Sequence, residues 1–269
     1  MVLNVLNLGL VPYETALQLQ RTLMELRKAS RIENTLLLLE HPPVITLGRN
    51  AQVSNVLASP ESLAQRGVEL FDIDRGGDVT FHGPGQLVAY PIFDLRSFEP
   101  KLGAVEFVRR LEEVLIRTCG DFGIATQRIK GLTGVWTYAL RDKPQAKIAA
   151  LGVHISRGVT THGFALNVGT DLDFFSLIVP CGLTNKPVTS MERELQRRLT
   201  LEEVATAVSR NFGRVFHSQM LWLESLDDLL APATAVAKPE PAESPANQDM
   251  PAQPPKELRK LHGKGDELA

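Results

Sequence analysis

Apolar and polar positions divide the first 230 residues into alternating strand-like and helix-like stretches. Residues 2–10 read as a first strand. Residues 13–30 then carry Ala16, Leu17, Leu19, Leu23 and Leu26 at helical spacing. Residues 35–40 form a continuous apolar run, the mark of a strand covered on both faces. His41-Pro42-Pro43 breaks that run and residues 44–47 resume it. Further strands are predicted over 68–73, 79–82 and 87–93, divided by glycine and proline. Val105, Val108, Leu111, Val114 and Leu115 place an apolar stripe on a helix over about 103–118. Strands follow at 134–139, 146–155 and 159–168. Thr200-Leu201-Glu202-Glu203 is a capping box that opens a last amphipathic helix to about Phe216. The pattern predicts one mixed α/β domain, an α+β sheet domain, over residues 1–230.

The pattern stops at Ala231. Residues 231–269 are rich in Pro, Ala, Glu and Lys and almost devoid of large apolar side chains. Such a segment cannot bury enough surface to offset its ordering entropy, so it is expected to be a disordered tail. No internal repeat is present. Composition narrows the function classes. The chain has 269 residues, is 43% hydrophobic and carries a formal net charge of -2, so no global basic field points to nucleic acid. Two cysteines, Cys119 and Cys181, do not make a disulfide framework and fit a reducing compartment. The N-terminus lacks the pattern of a signal peptide, and no apolar run approaches the roughly 20 residues that span a bilayer. A cytoplasmic protein without membrane attachment is expected.

Three segments carry candidate chemistry. Cys181 sits in Ile178-Val179-Pro180-Cys181-Gly182-Leu183, a turn in which proline and glycine let other backbone approach. A cysteine is ordinarily a small buried hydrophobe, and Cys119, near the end of an apolar helix, is read that way. Lys147 lies in an otherwise apolar strand. A strand lysine normally faces solvent; one that points inward has its ammonium destabilised by desolvation and can act as a base. A free thiol is only about 3% thiolate at pH 7, and a nearby ammonium raises that fraction. The third segment is Arg75-Gly76-Gly77-Asp78-Val79-Thr80-Phe81-His82, continuing to Gly83-Pro84-Gly85-Gln86. It lacks both the GxxxxGK[ST] and the GxGxxG pattern. A plain turn is the simple reading; a loop closing over a bound group, its N–H groups lining an acyl carbonyl or a linker phosphate, is the functional one.

The strand over 159–167 alternates. His162, Phe164 and Leu166 share one face; Thr161, Gly163, Ala165 and Asn167 share the other, which is small enough to leave a groove wall for an extended chain. The six histidines show no ligand spacing, so no metal is expected. No G-x-S-x-G elbow is present.

Together these segments resemble the lipoyl(octanoyl) transferase family of lipoate biosynthesis. The matching runs are Glu40 through Arg49, Arg75 through Gln86 with Tyr90-Pro91, Gly134-Val135-Trp136, Lys147 through Gly152, His162 through Asn167, Pro180-Cys181-Gly182 and Val188-Thr189-Ser190. The resemblance implies the α/β fold shared with biotin and lipoate protein ligases. It implies transfer of an octanoyl group from acyl carrier protein to a lysine of lipoyl domains, in 2-oxoacid dehydrogenase complexes and the glycine cleavage H protein, by a monomer without a cofactor. The cysteine matching Cys181 holds the acyl group as a thioester, and the lysine matching Lys147 lowers its pKa. The acyl-binding segments map to Arg75, Gly76, Gly77, Asp78, Val79, Thr80, Phe81 and His82, to Ala150, Leu151 and Gly152, and to Gly163, Phe164 and Ala165. Carrier proteins are typically acidic, so a basic rim is expected from Arg49, Arg75, Arg141, Lys143 and Lys186. Two other readings stay open: an ATP-dependent lipoate or biotin protein ligase, and a non-catalytic binder of lipoyl domains.

Overall fold

The apolar run at 35–40 lies inside an eight-stranded mixed sheet, and its side chains divide between the two faces. Leu36 and Leu38 enter one core, Leu37 and Leu39 the other, and all four are buried. The computed structural model describes residues 1–140, 143–180 and 186–230. These residues fall within one compact unit. The tail expected to be disordered, and Arg141, lie outside the described residues.

The strands are β1 (Val2–Leu10), β2 (Thr35–Glu40), β3 (Val44–Leu47), β4 (Glu69–Asp72), β5 (Val79–His82), β6 (Gln86–Ile92), β7 (Thr126–Ile129), β8 (Leu132–Thr137), β9 (Lys147–Ser156), β10 (Val159–Asn167) and β11 (Gln219–Trp222). The helices are α1 (Tyr13–Lys28), α2 (Pro60–Gln65), α3 (Ala104–Asp121), α4 (Met191–Leu195), α5 (Leu201–Phe216) and α6 (Leu226–Leu230). The large sheet has the order β11-β1-β2-β6-β10-β9-β8-β7; β4-β3-β5 form a second, three-stranded sheet. β1 runs parallel to β11 and β2, while the contacts from β2 through β7 are antiparallel.

Helices α3 and α5 cover one face. Their apolar stripes meet Leu3, Val5, Phe93 and Phe164 in a core that includes Phe107, Leu111, Phe212 and Phe216. Phe212 stacks on Phe216 at 5.5 Å between ring centres, and Phe93 meets Phe216 edge-on at 5.7 Å. Helix α1 covers part of the other face through Ala16 and Leu23. The predicted capping box is present: the Thr200 hydroxyl accepts from Glu203 N and Glu203 accepts from Thr200 N. Helix α1 ends at Lys28, two residues short of the expected boundary, because Ser30 has left-handed φ (54°).

Short elements escaped the pattern. β7, β11, α4 and α6 have four or five residues each, too few to display a period. Helix α2 carries start signals, Ser59 as N-cap and Pro60 at N1, but only six residues follow. Among the described residues, no helix is long and apolar enough to cross a membrane.

The aromatic cluster yields a test of this core. Phe212 is fully buried between helix and sheet. Phe212→Ala should cost about 3–5 kcal/mol in urea unfolding, and Phe212→Leu distinctly less. Equal losses for both would mean that the ring stacking carries no share.

Candidate active site

β9 and β10 place Gly152 opposite Gly163. A Cβ on Gly152 would stand 2.7 Å from Gly76 O and 3.0 Å from Arg75 Cδ. A Cβ on Gly163 would collide with the Ala89 carbonyl. Bare backbone at both positions lets main chain pack on the strands from each side. A narrow cavity of about 50 Å³ remains beside them, lined by Ala150, Leu151, Gly152, Gly163, Phe164 and Ala165 from the two strands, by Arg75, Gly77, Asp78, Val79, Thr80 and His82, and by Tyr13, Tyr90 and His162.

Twelve of the fourteen residues assigned to acyl binding from sequence thus border one cavity. Gly76 and Phe81 do not. Gly76 donates its N–H to Val153 O at 3.0 Å, so that group is committed to holding the loop on β9. Phe81 is buried behind the cavity wall, stacked on Phe174 at 4.8 Å and edge-on to Phe175 at 5.6 Å. Arg75 is only 7% exposed. Its guanidinium donates to Thr46 O at 2.8 Å, to Thr46 Oγ1 at 2.9 Å and to Gly76 O at 3.1 Å. It therefore belongs to the interior and not to the basic rim expected from sequence. In that rim, Lys143 is paired with Glu194 and Arg49 meets His154.

The polar groups around the cavity have defined proton positions. Gln86 Nε2 donates to Phe81 O (3.2 Å) and Asn167 Oδ1 (2.9 Å). Its Oε1 therefore faces His82 Nδ1 at 2.8 Å, which places the ring proton on Nδ1 and a lone pair on Nε2. His41 Nδ1 donates to Val11 O at 2.7 Å, and its Nε2 accepts from the Tyr90 hydroxyl at 2.8 Å. Burial pushes the His82 pKa down to about 3 and the His41 pKa down to about 4. Burial also lowers that of His162, whose Nε2 donates to Asp74 at 2.9 Å. That hydrogen bond holds the Asp74 carboxyl well below the usual carboxylate range. Burial raises the Tyr13 and Tyr90 hydroxyls above theirs.

His162 has left-handed φ (56°), and its N–H donates to the buried Gln20 Oε1 at 2.7 Å. This break in the two-residue alternation explains why His162 lines the same cavity as Gly163 and Ala165, against the face assignment read from sequence. Tyr13, His41 and Asp74 were missed as site residues. They come from a helix start, a Pro-Pro break and a loop, and no periodic signal marks them.

Lys147, at the start of β9, is 7% exposed and does not border the cavity. Its N–H donates to Pro187 O at 2.8 Å, and its carbonyl accepts from Thr189 N at 2.9 Å. Thr189 O accepts from Asn167 Nδ2, which links this end of the sheet through Gln86 to His82. Cys181 lies outside the described residues. The chain before it is anchored by Val179 N donating to Asn55 O at 2.7 Å, and the chain after it by Pro187 on Lys147. Cys119 is fully buried in α3, and burial pushes its thiol up to about 12, in keeping with its structural reading.

A family model described as the lipoyl protein ligase A/B catalytic domain matches residues 12–213. The chain is 64% identical over 261 residues to a protein of Koribacter versatilis (strain Ellin345) named octanoyltransferase, covering 97% of both chains. It is 61% identical over 237 residues to an octanoyltransferase of Acidobacterium capsulatum, covering 86% of this chain and 96% of that one. Among solved structures, a bi-partite lipoate protein ligase of Thermoplasma acidophilum superposes with a TM-score of 0.64 at 19% identity, over 84% of this chain and 87% of that one. A lipoate-protein ligase A solved with bound ATP gives 0.63 at 18% identity, over 84% and 89%. The fold is therefore that of lipoate protein ligases.

The buried histidines predict how stability depends on pH. A free histidine titrates at about 6.5, whereas His41 and His82 stay neutral in the fold down to about 4 and 3. The unfolded chain takes up their protons first. Stability is therefore full above about pH 6.5 and is lost as pH falls toward the folded values. Between pH 7 and pH 5 each contributes a loss on the order of 2 kcal/mol. Urea midpoints should fall over that range, and His82→Asn should flatten the fall. A His82→Asn variant with the full slope of the parent would contradict this account.

Proposed function

The chain belongs to the lipoyl protein ligase A/B catalytic domain family, and from that premise we propose that its cavity holds the octanoyl chain of a thioester intermediate on Cys181. The enzyme is an acyltransferase that moves octanoyl groups in protein lipoylation. The observation that carries the finer reading is the narrow groove along Ala150–Gly152 and Gly163–Ala165, roofed by Gly77–Thr80, on the strand that begins with buried Lys147. Its backbone-lined walls suit an extended aliphatic chain better than a branched or charged one.

In the proposed reaction the donor is octanoyl-acyl carrier protein. Lys147 takes the thiol proton, and the Cys181 sulfur attacks the acyl carbonyl. The new C–S bond forms as the carrier's C–S bond breaks, and the departing carrier sulfur receives the proton from Lys147. The lysine amine of a lipoyl domain, in a 2-oxoacid dehydrogenase complex or a glycine cleavage H protein, then attacks the acyl-enzyme. A C–N bond replaces the bond to Cys181, Lys147 takes the amine proton, and that proton returns to Cys181. A free lysine amine is neutral only on the order of once in 2,000 at pH 7, so a base at this step is needed. Thioester exchange is nearly isoenergetic and amide formation runs downhill, so the scheme uses neither ATP nor another cofactor. Two successive half-reactions let two protein substrates use one site in turn. The reading further assigns catalysis to residues 1–230, leaves the tail 231–269 dispensable, and places a monomer in the cytoplasm.

Intact mass after incubation with octanoyl-carrier protein tests the scheme. The wild type should gain one octanoyl group. Cys181→Ala should gain none and lose transfer while keeping its urea midpoint, and Cys119→Ala should keep most activity. Lys147→Ala should lose most activity without rescue by Lys147→Arg, because a guanidinium does not act as a base near neutral pH. Amide product from octanoate and ATP without a carrier would favour the ligase reading instead, and near-normal transfer by Cys181→Ala would remove the covalent intermediate.

A further inference from the structure

Gly134-Val135-Trp136 takes no part in the cavity or in the chemistry above, yet its two outer residues surround Lys147. On β8 these positions share a face, and the register sets Trp136 opposite Lys147. Lys147 Nζ stands 5.0 Å from the centre of the Trp136 ring. A Cβ on Gly134, whose φ is 134°, would stand 2.8 Å from Lys147 Cε, 3.4 Å from Nζ and 2.9 Å from Ala149 O. The space the lysine occupies therefore exists because residue 134 has no side chain.

Behind Gly134, the fully buried Glu112 of α3 accepts from Gly134 N at 3.2 Å and is paired with Arg109 at 2.7 Å and Arg128 at 3.2 Å. On the other side, Glu194 accepts from the Thr189 hydroxyl and is paired with Lys143. Trp136 is completely buried, and its indole N–H has no hydrogen-bond partner among the described residues. A buried indole usually finds a partner for that group; this ring is placed for its face.

We propose that Gly134 and Trp136 form a cation seat for Lys147, with the indole face as a positioning group for the ammonium. An aromatic face attracts a cation, most strongly where both are out of water. The seat favours the state in which Lys147 has taken a proton, whether from Cys181 in the first half-reaction or from the acceptor amine in the second. Trp136 touches no substrate and acts through Lys147, so the inference rests on the reading of Lys147 as proton acceptor.

Ring-fluorinated tryptophan tests the seat, because fluorine weakens the negative face while nearly keeping the ring's shape. The chain has two tryptophans, so a Trp222→Phe, Cys119→Ala background confines the label to Trp136 and thiol alkylation to Cys181. The midpoint of iodoacetamide labelling against pH should rise by about one unit, and kcat should fall several-fold with KM for the carrier unchanged. A merely structural tryptophan would leave the labelling profile in place. Fluorination in a Lys147→Ala background should move nothing further. A labelling profile unmoved by fluorination but shifted by Lys147→Ala overturns the seat and leaves the role of Lys147 standing. A profile unmoved by Lys147→Ala overturns both.

Discussion

Two strands without side chains at facing positions set the geometry around which the rest of this molecule is arranged. A sheet face is ordinarily carpeted by side chains standing off the backbone. At Gly152 and Gly163 that carpet is missing, and neighbouring main chain moves in: Gly76 over one, Ala89 beside the other. The loop over Arg75–Asp78 is thereby brought down onto β9, with Gly76 hydrogen bonded to Val153 and the Arg75 guanidinium turned inward onto Thr46. The cavity that remains beside these strands is small, about 50 Å³, because main chain occupies the space that side chains at Gly152 and Gly163 would need. An unbranched chain is the ligand proposed for this slot. Discrimination follows from excluded volume more than from hydrogen bonds.

The polar groups at the cavity follow the same logic. His41, His82, Tyr13 and Tyr90 bring hydrogen-bonding capacity into the interior, yet burial keeps all four neutral near pH 7. Each histidine is locked in one tautomer by partners whose own roles are fixed: Val11 O and the Tyr90 hydroxyl for His41, Gln86 for His82. Neutral, hydrogen-bonded rings avoid the desolvation cost that four more buried charges would impose here. The charged side chains at this wall are turned onto partners: Arg75 onto Thr46, Asp78 onto Asn55, and Asp74 onto His162. His162 holds a left-handed backbone conformation that a non-glycine residue adopts only when its surroundings impose it. Gln20 imposes it here from α1, through the His162 N–H.

Much of this was legible in the residues before any coordinates. The apolar run at β2, the stripes of α3 and α5 and the Thr200 capping box each encode a local pattern strong enough to survive tertiary context. The small face of β10 indicated a groove wall, and the segments around Arg75, Ala150 and Gly163 do converge on one cavity. What remained hidden has physical reasons. Arg75 is expected at a basic rim because an acidic carrier calls for cations near the motif segments; its partner Thr46 lies 29 residues away, and no local signal announces it. Phe81 sits among cavity residues in sequence but points to the opposite side of its strand, into Phe174 and Phe175. Tyr13, His41 and Asp74 enter from separate elements that only the folded sheet brings together.

Ligases that bind ATP and relatives named octanoyltransferase share this architecture, so the fold alone does not select the chemistry. What separates the two is how the acyl group is made reactive. A carboxylic acid must be activated by a nucleotide, whereas a thioester arrives activated and needs only a sulfur and a place for one proton. In the glycine-rich loop the Gly76 N–H is committed to Val153, and Arg75 donates to Thr46. In the proposed scheme the proton goes to Lys147, a buried lysine given room by Gly134 and facing the Trp136 indole. In the proposed reaction the aromatic face favours the ammonium that forms when Lys147 takes a proton. A group that takes and releases a proton in each half-reaction is served by an attraction of this modest size, strong enough to orient the ammonium and weak enough to let the proton move on.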